Sequence, residues 1–112
     1  MEFSDVIKNR RSIRSYKPNP VPREKINKIL ESARLAPSAS NRQPWHFIVI
    51  EDKAMIKKLA KQSWAEKAPL MIVGLADTEE SPKWCQNDLG IAIEHMVLTA
   101  WDLGYGTCWM GQ

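Results

Sequence analysis

Between Leu89 and Leu103 the chain runs LGIAIEHMVLTAWDL, and this stretch limits the possible folds more than any other. Leu89, Ala92, Ile93, Met96, Val97, Ala100 and Leu103 recur at helical spacing, Asn87 or Asp88 is placed to cap the start, and Gly104 to end the helix. A helix this apolar requires cover on most of its sides. Whatever else the chain builds must supply that cover.

The other segments supply part of it. Phe3, Val6 and Ile7 give Glu2 to Lys8 a helical spacing, and Pro18, Pro20 and Pro22 then mark Ser15 to Pro22 as a surface connection. From Arg23 to Leu35 the residues Ile26, Ile29, Leu30 and Ala33 predict an amphipathic helix. Trp45 to Ile50, apolar apart from His46, and Pro69 to Ala76 predict strands covered on both faces. Between them Asp52 caps a helix over Lys53 to Gln62, with Met55, Ile56, Leu59 and Ala60 on one side. Tyr105 to Gln112 reads as a third strand or a loop. The order α, α, β, α, β, α, β predicts one domain over residues 1–112, of the α+β class, with helices layered over a mixed sheet. Three strands and two amphipathic helices are little cover for Leu89 to Leu103, so the chain is expected either to dimerise extensively or to form an incomplete domain.

Sixteen basic residues against thirteen acidic ones leave a charge of only +3, which suits a small anionic ligand better than a general polyanion. Cys85 and Cys108 lack CxxC spacing and MEFSDVIKNRR lacks the apolar run of a signal peptide, so free thiols in a reducing cytoplasm are expected. The longest apolar run, Pro69 to Ala76, is strand-sized, so no membrane span is expected. His46, Cys85, His95 and Cys108 match no short paired-ligand zinc pattern, and both histidines read as partnered core or interface groups. No basic neighbour argues for a reactive Cys108 thiol. Trp84, in the polar loop SPKWCQND, is the tryptophan best placed as a pocket lid.

Two polar stretches carry candidate chemistry. In an extended segment Arg10, Ser12 and Arg14 point to one side while Arg11 and Ile13 point to the other. Two guanidinium groups flanking a hydroxyl suit a phosphate, through forked and charge-assisted bonds; the alternatives are a solvated basic surface or a nucleic-acid contact strip. The second stretch, APSASNRQPWHF from Ala36 to Phe47, crowds Ser38, Ser40, Asn41 and Gln43 between Pro37 and Pro44. It reads as a binding loop or as an ordinary polar connection.

RRSIRSY at Arg10 to Tyr16, APSASNRQPWHF at Ala36 to Phe47 and GYGTCWMG at Gly104 to Gly111 occur together and in order, and on these the chain resembles the FMN-dependent nitroreductase family. The resemblance covers essentially the whole chain, although family members continue well past the position of Gln112. It implies a mixed, largely antiparallel sheet flanked by helices in α/β/α layers, FMN as cofactor and a homodimer with FMN at the subunit interface. Arg10 and Ser12 would hold the phosphate and ribityl region with Arg11 close by, and Arg14 would sit near the N1 and C2 carbonyl edge of the ring. Pro37, Ser38, Ala39, Ser40 and Asn41 would reach the flavin from the opposite subunit, with Gln43 near the ring. Trp109, Met110 and Gly111 would lie against the ring, the Gly111 N–H directed toward N5.

No side chain would serve as catalytic acid or base, since the flavin carries the chemistry and Arg14 tunes it. The implied activity is ping-pong hydride transfer from NADH or NADPH through flavin N5 to a small flat acceptor such as a nitroaromatic, quinone or activated alkene. Two alternatives remain open from the sequence: a flavin-binding protein without turnover, and a small basic nucleic-acid binder using Arg10, Arg11, Arg14 and Lys17. The second lacks an aromatic platform interleaved with the basic run, Tyr16 excepted.

Overall fold

The structure is a computed structural model that describes residues 2–111. Helices α1 (Phe3–Asn9) and α2 (Arg23–Arg34) precede strand β1 (Trp45–Ile50), followed by α3 (Lys53–Leu59), β2 (Met71–Ala76) and the long α4 (Cys85–Asp102). The α+β class expected from the sequence is observed.

Apolar periodicity decides how these elements pack. Ile29 and Ala33 of α2 meet Ala92, Met96 and Ala100 of α4, and Ala33 and Ala92 have no exposed surface at all. Small residues on both sides let the two helix backbones approach closely. Across the same seam the His95 ring nitrogen Nδ1 lies 3.0 Å from the carbonyl of Ser32, which gives this histidine the partner expected of it. On its other side α4 rests on the sheet. β1 and β2 pair antiparallel, with Phe47 opposite Gly74 and Ile48 opposite Val73. A Cβ on Gly74 would lie 3.0 Å from Ile93 Cδ1 and 3.1 Å from Leu89 Cδ1, so the absent side chain is what lets α4 settle on the strand.

Several expectations are corrected. The strands are covered on one face only within this chain: Ile48 and Leu75 are 49% and 45% exposed, on the face opposite Phe47. His46 shares that face and meets Asp77 at 3.1 Å, while the Glu79 and Glu80 amides donate to the same carboxylate. The Glu80 N–H first, and then His46, hold the Asp77 carboxyl below its usual range. In α1 only Val6 is buried, and Phe3 and Ile7 face outward. Helix α3 stops at Leu59, short of Gln62, and buries Ile56 alone. β2 begins at Met71, two residues after the Pro69 expected.

The helix expected to begin at Asn87 or Asp88 begins at Cys85, with Trp84 as its capping residue. Asp88 therefore lies inside its first turn. Gly104 ends α4 at φ +93°, and its N–H donates to the Trp101 carbonyl. The third strand is absent from Tyr105 to Gly111 except for one parallel bridge, Thr107 to Ser12; Gln112 lies outside the described residues. Among the described residues no helix is long and apolar enough to cross a membrane. Both cysteines are free thiols.

Candidate functional site

The bridge between Ser12 and Thr107 is the local event that builds the candidate site. Arg10 leaves α1 in an extended conformation (ψ 145°), which turns the chain along the segment that follows α4. There the Ile13 amide donates to the Thr107 carbonyl at 2.8 Å. Gly106 makes the approach possible, because a Cβ at that position would lie 2.5 Å from Ile13 Cγ1 and 2.7 Å from Ile13 Cβ. Tyr16 closes the turn, its hydroxyl donating to the Ile13 carbonyl at 2.5 Å. Burial raises the Tyr16 hydroxyl above its usual pKa, with Cys108 adding to the rise and Arg14 opposing it.

The basic residues differ in what they do. Arg11 turns back on α1, where its Nη1 donates to the carbonyls of Lys8, Asn9 and Arg10 at 3.2, 3.0 and 2.9 Å, a cationic cap on the helix end. It is occupied structurally. Arg10, Ser12 and Arg14 make no side-chain hydrogen bond or ion pair among the described residues, and the Arg14 guanidinium lies 5.8 Å from the centroid of the Trp64 ring. Ser12 and Arg14 are exposed. The result is a set of uncommitted donors held on a fixed backbone, the condition a phosphate-bearing ligand requires. Two residues past the Thr107 bridge Trp109 is half exposed, its indole N–H donating to Glu94 of α4 at 3.2 Å, and Gly90, one turn earlier, leaves room for the ring. Met110 is partly buried. Gly111 has open space on its Cβ side.

The loop after α2 is constrained differently. Ser40, Asn41 and Gln43 have φ near +50°, and among the described residues they are the only non-glycine positions in the left-handed region. Asparagine tolerates this, but serine and glutamine there cost about 1 kcal/mol or more each. Internal bonds hold the shape: the Gln43 amide donates to Ser38 Oγ at 3.0 Å, and the Asn41 amide to the Ser38 carbonyl at 3.1 Å.

The anchor is Asp88, 2% exposed, whose Oδ2 accepts from the Ala39 amide at 3.0 Å. Pro37, Ser38 and Ala39 face Trp84, Asp88 and Ile91 across a shallow cleft of about 320 Å³. Replacing Asp88 with alanine strands the Ala39 amide and is expected to cost about 1–3 kcal/mol, read as a lower urea midpoint at unchanged m-value. Asp88→Asn, which keeps an acceptor, should lose less.

Among the described residues no hydrogen bond joins the Arg10 to Arg14 segment to the loop from Pro37 to Gln43. The structure thus brings Arg10, Ser12 and Arg14 beside the segment leading to Trp109, Met110 and Gly111, and leaves Pro37, Ser38, Ala39, Ser40, Asn41 and Gln43 as a separate, preformed surface.

The profile of the Nitroreductase family matches residues 7–68 and 52–112, which together take in nearly the whole chain. The chain belongs to the nitroreductase family. Two archaeal relatives carry the name "Putative NADH dehydrogenase/NAD(P)H nitroreductase". The protein from Methanothermobacter thermautotrophicus is 38% identical over 117 aligned positions, covering 99% of this chain and 61% of the relative. The one from Archaeoglobus fulgidus is 42% identical, covering 98% and 67%. Among solved structures, an FMN-dependent nitroreductase from Clostridium difficile superposes with a TM-score of 0.88 at 39% identity, over 96% of this chain and 65% of that one. The chain therefore spans about two thirds of the length of these nitroreductase relatives.

The roles that Asp88, Gly106, Thr107 and Trp64 play in building the site were not read from the sequence, where Asp88 was expected to cap its own helix. A glycine between Tyr105 and Thr107 was the available signal for a close backbone approach.

Proposed function

We propose that this chain carries the two flavin-facing surfaces of an FMN-dependent oxidoreductase, a single nitroreductase-like unit over residues 1–112 that works as a homodimer. The observation that carries this is the uncommitted donor set of Arg10, Ser12 and Arg14, held to Thr107 beside the segment that ends in Trp109, Met110 and Gly111. A forked cation and a hydroxyl suit the phosphate and ribityl chain of FMN, a second cation on the same segment suits an edge of the ring that gains negative charge, and the half-exposed Trp109 offers an aromatic wall.

In this reading Arg10 and Ser12 grip the phosphate end and Arg14 supplies positive charge at the pyrimidine edge of the ring. Arg11 steadies the helix from which the segment departs. Pro37, Ser38, Ala39, Ser40, Asn41 and Gln43 complete the site of the other subunit, which accounts for a strained, preformed loop that, among the described residues, makes no hydrogen bond to the Arg10 to Arg14 segment of its own chain. When bound, FMN supplies two-electron chemistry, taking reducing equivalents from NADH or NADPH and passing them to a flat acceptor such as a nitroaromatic or quinone. The chain's own contribution is orientation, charge and a pocket wall.

Adding the protein to FMN should quench flavin fluorescence to a plateau at one FMN per chain. Arg10→Ala should weaken that binding about tenfold, the loss of about 1.4 kcal/mol for a charge-assisted contact. Fluorescence that stays constant through the titration would contradict the proposal.

A further inference from the structure

Arg14 is held in a way that leaves its charge available. Arg34, by contrast, spends its guanidinium on Glu31 in a forked ion pair, with Nε 2.9 Å from one carboxylate oxygen. Arg11 spends Nη1 on three carbonyls. The directional partner of Arg14 among the described residues is the Trp64 ring, 5.8 Å from Cζ to centroid. A contact with the face of an aromatic ring attracts the cation through the ring quadrupole, neither neutralising it nor using its N–H groups. All five donors stay free.

Trp64 is itself fixed. Its ring lies 6.3 Å from that of Tyr16 at 47°, the Tyr16 hydroxyl is tied to the Ile13 carbonyl, and the Ile13 amide is tied to Thr107. On the other flank Ala65 is buried, and its amide donates to the Gln62 carbonyl at 3.0 Å. A closed circuit therefore runs from Thr107 through Ile13, Tyr16 and Trp64 to the Arg14 guanidinium.

We propose that Trp64 is a positioning residue for Arg14, its ring face attracting the guanidinium so that an un-neutralised, oriented cation is presented to the flavin edge. This rests on the FMN reading above. Without the ring, Arg14 regains the rotamer freedom of a long exposed side chain, and less of its charge stands where negative charge builds on reduction. Reduced FMN is the more negative form, so Trp64 should favour it over oxidised FMN.

The test is the midpoint potential of bound FMN, with oxidised-FMN affinity measured in parallel, in wild type, Trp64→Leu, Trp64→Phe, Arg14→Ala and the double variant Trp64→Leu/Arg14→Ala. Trp64→Leu should lower the preference for reduced over oxidised FMN about fivefold, which is about 20 mV for a two-electron couple. Trp64→Phe keeps a ring and should stay within about twofold of wild type. In the Arg14→Ala background, Trp64→Leu should add nothing, since its effect passes through Arg14. Trp64→Met, apolar and ringless, serves in place of the leucine variant if that one does not fold.

An unchanged potential in Trp64→Leu, or an equal drop with and without Arg14, would overturn the proposal while leaving the FMN reading intact. A wild-type protein that binds no FMN would overturn both.

Discussion

Replacing Arg14 with alanine should slow reduction of the bound flavin by NADH or NADPH about 30-fold, while FMN affinity falls by less than tenfold. The magnitude follows from losing one charge-directed interaction of about 2 kcal/mol at a place where negative charge develops only as electrons arrive. In the proposed site, affinity for oxidised FMN is assigned chiefly to Arg10 and Ser12 at the phosphate end, so it should respond less. Stopped-flow reduction under anaerobic conditions reads the first quantity and fluorescence titration the second. Arg14→Lys should recover part of the rate, because the charge returns without the planar guanidinium fork. Equal reduction rates in Arg14→Ala and wild type would remove Arg14 from the role assigned to it.

The second large effect is expected at a residue that carries no chemistry. In Gly106→Ala the new Cβ would sit 2.5 Å from Ile13 Cγ1 and 2.7 Å from Ile13 Cβ, closer than real side chains come. Relief requires Ile13 to move away. That movement breaks its 2.8 Å bond to Thr107 and the Ser12 bridge, and it displaces the carbonyl that holds Tyr16. Overpacking of this kind costs about 1–3 kcal/mol.

Since the strain falls on the segment that presents Ser12 and Arg14, FMN binding should weaken about tenfold to a hundredfold. Helical circular dichroism should hold, because the core between α2 and α4 lies elsewhere. Adding Ile13→Ala removes the Cγ contacts but leaves the one to Cβ, so rescue should be partial. Full FMN affinity in Gly106→Ala would show that the bridge between residues 12 and 107 does not position the site.

What the sequence could reveal followed from local periodicity and local chemistry. The apolar repeat from Leu89 to Leu103 and the glycine after it place α4 within a few residues, and Ile26, Ile29 and Ala33 identify the face of α2 that is buried. Asp88 shows the limit of such reasoning. An aspartate near a helix start reads equally as a cap for its own helix or as an acceptor for a distant amide, and only the folded position of Ala39 decides between them. Of the two readings of Tyr105 to Gln112, strand or loop, the described residues to Gly111 form the loop for a related reason: a strand needs a paired neighbour over several residues, and here the chain offers one bridge.

Arg10, Arg11, Ser12 and Arg14 were legible as an anion-binding cluster, but not the diversion of Arg11 onto the end of α1, because that depends on which rotamer the helix terminus rewards. The contact between Arg14 and Trp64 left no trace in sequence at all, since neither residue's neighbours point to the other. In the loop, the left-handed backbone was foreseeable at Asn41 and unforeseeable at Ser40 and Gln43, where the side chain gives no preference for it. The exposed face of β1 and β2 likewise defeated the expectation of cover on both sides. Apolar residues such as Ile48 and Leu75 record a demand for burial without recording whether this chain meets it.

The central claim is that this chain binds FMN with its Arg10 to Arg14 segment and presents it for two-electron reduction. An anaerobic spectral titration of the FMN-reconstituted protein with NADH, and separately with NADPH, tests this most directly. The prediction is loss of the oxidised flavin absorbance at one nucleotide per flavin with at least one of the two donors, and its return when a quinone or nitroaromatic is added. A protein that takes up no FMN, or whose bound FMN keeps its full oxidised absorbance with both donors, would contradict it.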